Sequence, residues 1–363
     1  MKKKRKSILI IGPFPKPTTG VSLANLVVKG ILEESEHFTP DILNTAYNKF
    51  DENIGSFSLH KLFFYLSFNF KIYKVVTNNS IYFTPGQTFF GVAKYTAFII
   101  FAWLLGKELI IHVHGNHLGT EYASLTGWKK KLFYFLISKM TKGIVLSESL
   151  RPNLKPFIAE KNIHVLYNFA EDYLSNANTP MSTDGVRIIY LSNLMKEKGI
   201  LVLLESLRML EENGVSYEAK IAGNIDANHE EEIKSQLASL KNTSYVGVVN
   251  GEEKKAFLDW GNTFVLPTFY QMEGQPISLI EAMATGNVLV TTRHAGIPDI
   301  VNEGKNGYFV EKKNAQDLYN RLEFLKNNSK KIAEIAAYNK IQFEKNYTRK
   351  QFKESLLHIL KNT

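Results

Sequence analysis

Glu273 and Glu281 stand eight positions apart in 273-EGQPISLIEAMATG-286, a run with no other charge. Two acids can trade protons across one bond, as glycoside hydrolysis requires. The residues around them argue for another use. The apolar run 263-TFVLPT-268 reads as a buried strand, and 269-FYQMEGQ-275 as the loop leaving it. Pro276 suits the first turn of a helix, where its missing N–H costs nothing. The spacing predicts a helix over 276–284 that stops near Gly286. Glu273 then precedes the helix, and Glu281 lies about one and a half turns inside it. The backbone from Gly274 through Gln275 and Pro276 to Ile277 forms the helix N-terminus, a site for an anion beside Glu273. Ile277, Leu279, Ile280, Ala282 and Met283 make the helix largely buried. A buried Glu281 therefore needs a partner, from the protein or from a ligand.

Two further clusters carry chemistry. In 193-NLMKEKGI-200, Lys196 and Lys198 follow an apolar strand and precede a helix beginning near Gly199. A lysine at that place can meet a phosphate. In 112-HVHGNH-117, His112 and His114 fall on one face of a strand. Three close imidazoles invite a metal, but no acid lies nearby before Glu121 and no H-E-x-x-H is present. The stronger reading puts His114, followed by Gly115, at the carboxyl end of a parallel strand, where open α/β sheets bind ligands. No G-x-G-x-x-G follows the first strand, and neither a P-loop nor a G-x-S-x-G elbow occurs.

These clusters need a scaffold, and the chain alternates short apolar runs with helical stretches throughout. The run 7-SILII-11 opens it, followed by a proline- and glycine-rich loop ending near Gly20 and a helix that Ser22 could cap. Strands are expected at 80–84, 108–114, 143–147 and 163–167. After the polar stretch 170-AEDYLSNANTPMSTDG-185 they resume at 186–192, 217–223, 244–249, 263–268, 288–292 and 307–311. Such alternation implies parallel sheets covered on both faces. With 363 residues the chain suits two domains. The expected fold is α/β, two Rossmann-like doubly wound domains.

Lys and Arg number 44 against 35 Asp and Glu, a net charge of +9 that favours phosphate-bearing partners. The chain has no cysteine, which excludes disulfides and thiolate chemistry. The basic start Lys2–Lys6 precedes too short an apolar run for a signal peptide. No run is long enough to span a bilayer; 95-YTAFIIFAWLLG-106 is read first as a buried helix, with a membrane-facing helix as the alternative. The aromatic and lysine-rich 61-KLFFYLSFNFKIYKVV-76 also fits an interfacial segment, although core packing is its default reading.

Taken together in order, these stretches resemble the family-4 retaining glycosyltransferases of the GT-B fold. Glu273-x7-Glu281 resembles the family's E-x7-E motif. Gly20, His114-Gly115, Asn168, Lys198-Gly199, Gly223, Gly247, 294-HAGIPDIV-301 and 304-GKNGYFV-310 follow the family pattern. The resemblance is strong over 186–310 and looser before residue 110. It implies an acceptor-binding domain over 1–172, a nucleotide-sugar domain over 173–345, a deep interdomain cleft, and a final helix in 346–363 that returns to the first domain. It also implies transfer of a sugar from a nucleotide sugar, with a UDP-sugar favoured, and with retained configuration. Glu273 would bond sugar hydroxyls, Glu281 ribose hydroxyls, and Lys198 with the helix N-terminus the diphosphate. His114, with Glu273 a catalytic residue, and the Gly20 loop would line the reacting side, and Gly20 and Gly223 would both help to bind the donor. Relatives often carry Gly-Arg where this chain has Ser192-Asn193, so Asn193 is expected to bond phosphate without charge. No Asp-x-Asp pair occurs, so no metal or other cofactor is expected. The expected acceptor is a glycan or lipid-linked glycan of capsule, O-antigen or exopolysaccharide type. The expected place is cytoplasmic, peripheral on the anionic inner face of the membrane, with no nucleic-acid partner. The alternatives are a nucleotide-sugar epimerase or a sugar phosphorylase on the same fold, and a catalytically idle nucleic-acid or lipid binder.

Overall fold

The computed structural model describes residues 5–16, 19–46, 68–175 and 185–361. Lys2–Lys4, residues 61–67 of the aromatic stretch and 176–184 of the polar stretch lie outside the described residues. The chain forms two compact units, Met1–Leu166 and Tyr167–Thr363. Each holds a six-stranded sheet whose paired strands are all parallel. The two units are Rossmann-like α/β folds.

In the first unit the strands are β1 (Lys6–Gly12), β2 (Phe38–Asn44), β3 (Ser80–Phe83), β4 (Glu108–Val113), β5 (Lys142–Val145) and β6 (Ile163–Val165), in the order β2-β1-β3-β4-β5-β6. Ile8–Ile11 of β1 are fully buried, as a continuous apolar run in a covered parallel sheet demands. Strand β2, FTPDILN, escapes a reading by apolar runs. Pro40 and Asp41 interrupt it, and it survives because it lies at the sheet edge, where a missing N–H is tolerated. The helix Gly20–Glu34 is capped by Thr19, not by Ser22. Ser22 is the third helical residue and closes the reciprocal half of a capping box, its Oγ accepting from the Thr19 N–H at 2.8 Å. The run 95–106 forms the helix Thr96–Leu104, which is only half-buried. Phe98, Ile99 and Ala102 face the core, while Trp103, Leu104 and Leu105 face solvent. The described part of the aromatic stretch is a 3-10 turn, Phe68–Lys71, and a five-residue helix, Tyr73–Thr77.

The second unit carries β7 (Arg187–Leu191), β8 (Glu218–Ala222), β9 (Thr243–Gly247), β10 (Thr263–Leu266), β11 (Val288–Thr292) and β12 (Gly307–Val310). Their order is β12-β11-β10-β7-β8-β9. Chain order reverses between β7 and β10, so the crevice at their carboxyl ends is the topological switch point where open α/β sheets bind ligands. The last helix, Arg349–Lys361, belongs to this unit, and its Phe352 ring lies 4.8 Å from Phe169. Among the described residues no helix is long and apolar enough to cross a membrane.

Candidate active site

Strands β7 and β10 are neighbours, so the loops leaving them meet at the switch point. The first loop makes a 3-10 turn over Lys196–Lys198 and passes through Gly199 into the helix Ile200–Glu212. Gly199 has φ +84°, and a Cβ there would stand 2.4 Å from the Pro267 carbonyl oxygen. Only glycine meets both demands, the left-handed backbone and the close approach of the second loop. That approach is tied by the Phe269 N–H, which donates to the Glu197 carbonyl at 2.8 Å. It brings Lys198 Nζ to 2.7 Å from Glu273 Oε2. Thr268 Oγ1 donates to the same carboxylate oxygen at 3.2 Å, and the Lys198 ammonium lies 5.0 Å from the Tyr270 ring centre. Both partners of the pair are largely shielded, with side chains 16% and 8% exposed. Burial and the nearby Glu273 and Glu197 charges push the Tyr270 hydroxyl above its ordinary pKa, so it stays protonated.

The loop reaches the helix Ile277–Ala284 with Pro276 as its N-cap, one position earlier than the first-turn place its chemistry suggests. Pro276 has no N–H to offer. Gly274, Gln275 and Ile277 each keep a backbone N–H that no group among the described residues accepts. The Gln275 side chain is turned away from a ligand role at its oxygen, because Oε1 accepts the Asn168 N–H at 2.6 Å. Asn168 Nδ2 donates back to the Gln275 carbonyl at 2.8 Å. The Gln275 Nε2 amide is buried without a partner among the described residues. Asn168 thus pins the loop from the start of the unit.

Glu281 is buried, and the partner its burial demands is Lys254, from the helix Gly251–Trp260. Burial works against the Lys254 charge, but the Glu281 carboxylate outweighs it and holds the ammonium above its ordinary pKa. The need for a ligand at Glu281 is therefore met by the protein itself, and its second carboxylate oxygen is the part left for another group.

A third segment, unassigned from sequence, buttresses the loop. His294 Nε2 lies 2.7 Å from the Tyr270 carbonyl and the Gly296 N–H donates to the Gly274 carbonyl at 2.9 Å. Lys312 Nζ lies 3.0 Å from His294 Nδ1. Burial lowers the His294 pKa, against the opposing hydrogen bond to Tyr270, so the imidazole is neutral with its proton on Nε2. The two bonds bracket Glu273. The family resemblance had marked 294-HAGIPDIV-301 as a matching stretch, but gave it no role in holding the loop.

The remaining candidates divide by unit. Asn193 is exposed, and its carbonyl accepts the Tyr190 hydroxyl at 3.1 Å. Gly223 has φ +141°, and a Cβ there would stand 1.8 Å from the Ser192 carbonyl oxygen. Its requirement comes from packing of strand ends, without any ligand. In the first unit, His114 stands at the end of β4 with its ring 4.0 Å from that of His112. Burial pushes the His114 pKa down to about 4, and His112 is held well below the ordinary imidazole value by its own burial and by His114. Tyr82 Oη lies 2.5 Å from His112 Nδ1. His117 pairs instead with Glu121 at 3.4 Å, so the three imidazoles do not converge. Gly20 opens the helix after β1, and among the described residues no atom lies within 4 Å of where a Cβ would stand.

Residues 175–342, in the second unit, match the family described as Glycosyl transferases group 1. The chain resembles putative colanic acid biosynthesis glycosyltransferase WcaL of Escherichia coli, 34% identical over 144 residues, or 38% of this chain and 35% of that protein. It resembles amylovoran biosynthesis glycosyltransferase AmsK of Erwinia amylovora at 34% identity over 140 residues, 37% of this chain and 34% of that protein. The chain spans about a third of the length of these two relatives. Among solved structures, Anabaena HepE in complex with UDP has a TM-score of 0.75 at 15% identity, covering 98% of this chain and all of that one, and confirms the GT-B fold.

Proposed function

We propose that the protein is a retaining glycosyltransferase that moves a sugar from a nucleotide sugar to a lipid-linked or cell-surface polysaccharide acceptor. The observation that carries the reading is the meeting of Lys198 and Glu273 at the switch point, 2.7 Å apart beside the open N–H groups of Gly274, Gln275 and Ile277. A cation and oriented N–H groups suit a diphosphate that gains charge as the glycosidic bond breaks. Glu273, next to them, is placed to accept hydroxyls of the sugar. The free oxygen of Glu281 is offered to the ribose. With Lys198 and the helix N-terminus meeting the leaving charge, transfer proceeds without an obligatory divalent ion, by front-face attack. WcaL and AmsK are named for colanic acid and amylovoran biosynthesis, which supports a polysaccharide acceptor. The HepE structure holds UDP, which supports a UDP-sugar donor. For the first unit we propose acceptor binding, with His114 and the loop ending at Gly20 as its polar edge. The enzyme works in the cytoplasm, peripheral on the inner face of the membrane.

The test is a melting screen against UDP-, GDP-, dTDP- and ADP-sugars, since a ligand held only by the native state raises the melting temperature. One nucleotide family should stabilise the protein by about 2–3 kcal/mol at a hundredfold excess over its Kd. Transfer with that donor should persist in EDTA. No stabilisation by any nucleotide sugar would overturn the assignment.

A further inference from the structure

We propose that the first unit docks on an anionic lipid surface through one aromatic and basic face, built on the helices Thr96–Leu104 and Gly127–Ser138. The proposal rests on the peripheral-membrane reading above and names the surface that serves it. The helix Gly127–Ser138 buries Phe133, Leu136 and Ile137. Trp128, Lys131 and Phe135, with Lys139 one residue beyond the helix, recur at spacings of three and four on another stripe. At one end Trp128 is 66% exposed and Phe90, beside it, 64% exposed. The Lys129 ammonium lies 5.9 Å from the Phe90 ring centre. At the other end Lys139 sits 4.2 Å over the Trp103 ring, and Leu104 is 68% exposed. The helix joins the two ends over about 18 Å. Large apolar side chains gathered on one solvent face mark a surface that something covers.

Charge says what covers it. Between residues 89 and 139 the only carboxylates are Glu108 and Glu121. Glu108 is taken by Lys6 at 2.8 Å and Lys142 at 3.1 Å. Glu121 accepts the Phe89 N–H at 2.7 Å and faces His117. Within this segment the face shows aromatic rings and ammonium groups, and both of the segment's carboxylates are engaged elsewhere. Rings at headgroup depth with lysine stems reaching out to anionic phosphates are the chemistry of an interfacial helix. The face also has a direction. The His117 N–H donates to Gln87 Oε1 at 2.6 Å, tying the loop after β4 to the loop after β3. The Trp128 end thus lies at the carboxyl edge of the sheet, with His114. Docking there holds that edge at the headgroups, where the sugar of a lipid-linked acceptor is presented.

The experiment is co-sedimentation with vesicles of mixed phosphatidylcholine and phosphatidylglycerol, against vesicles of phosphatidylcholine alone. The unaltered protein should bind the mixed vesicles, and binding should weaken as salt rises. The pair Lys129→Ala with Lys131→Ala should lose affinity about twenty-five-fold, from about fivefold per lysine at such a surface. The pair Leu104→Ser with Trp128→Ser should lose about tenfold or more. Unchanged melting temperatures confirm that the variants fold. If the unaltered protein ignores mixed vesicles, the peripheral reading falls and this surface with it. If it binds and both pairs bind equally well, this surface is wrong and the membrane contact lies elsewhere, in the basic start or in 61–76.

Discussion

At the carboxyl edge of the second unit's sheet, Lys198 and Glu273 are charged, paired and fixed by bonds from Thr268, Glu197 and the 294–296 segment. Its glycines are compelled, Gly199 and Gly223 by carbonyls that a Cβ would strike. At the corresponding edge of the first unit, His112 and His114 are uncharged, their Nε2 atoms are buried without partners among the described residues, and no described atom lies within 4 Å of where a Cβ on Gly20 would stand. One edge is a charge-bearing cradle completed by the protein. The other is a neutral edge whose unmet polar atoms wait on something else. The contrast fits a phosphate-bearing donor on the second unit and an uncharged glycan hydroxyl on the first.

The largest effect should come from breaking the cradle's charges. Glu273→Gln and Lys198→Met should each reduce kcat about 10²–10³-fold, the loss typical of removing one group aimed at transition-state charge. Lys198→Met should also raise KM for the nucleotide sugar. Near-normal turnover in both variants would remove the site assignment. Next in size is the compelled glycine. Gly199→Ala places a Cβ 2.4 Å from the Pro267 oxygen at positive φ, and should cost about 2–4 kcal/mol of stability in urea unfolding.

Much of the cradle was legible because β10, the loop and the helix Ile277–Ala284 follow one another directly in the chain, so spacing alone placed Glu273 beside the helix N-terminus. The pairing of Lys198 with Glu273 was not, because the partners lie 75 positions apart and meet only through the adjacency of β7 and β10. Sheet order is a tertiary fact that apolar periodicity does not encode. The same holds for Lys254 and Glu281, 27 positions apart on different helices. Strand β2 was hidden by Pro40, and the Thr19 cap by the equally plausible Ser22 three residues later. The first unit's exposed aromatic face was ambiguous in sequence, since a run such as 95–106 reads alike as core or as surface until its neighbours are known.

The neutral edge makes a pH prediction. His114 has an ordinary pKa of 6.5 and a folded value of about 4. Between these values the unfolded chain binds the extra proton, so the stability due to this burial is fully present above pH 6.5 and is lost as pH falls toward 4. His114 should account for roughly 2–3 kcal/mol of the drop in unfolding free energy across that window, His112 adding its own, and His114→Asn should make the fall shallower by that share. A His114→Asn protein with an unchanged profile would mean that the imidazole is not buried in its neutral form.

The smallest change in stability, and the sharpest separation of the two edges, should come from Gly20→Ala. The position opens a helix, its φ is not positive, and among the described residues no atom lies within 4 Å of the added methyl group. Alanine there restricts the unfolded chain and favours the helix, so stability should stay equal or rise by about 0.5 kcal/mol. Turnover should nevertheless fall if the loop ending at Gly20 carries the proposed ligand contact, since among the described residues nothing else meets the added methyl group. Measured together, urea unfolding and transfer rate give opposite signatures for the two glycines. Gly199→Ala loses activity because the cradle is distorted, with stability lost in parallel, whereas Gly20→Ala loses it in a fully stable protein. If Gly20→Ala kept both stability and turnover, the open space at that helix start would be idle, and the acceptor edge would have to be sought at His114 alone.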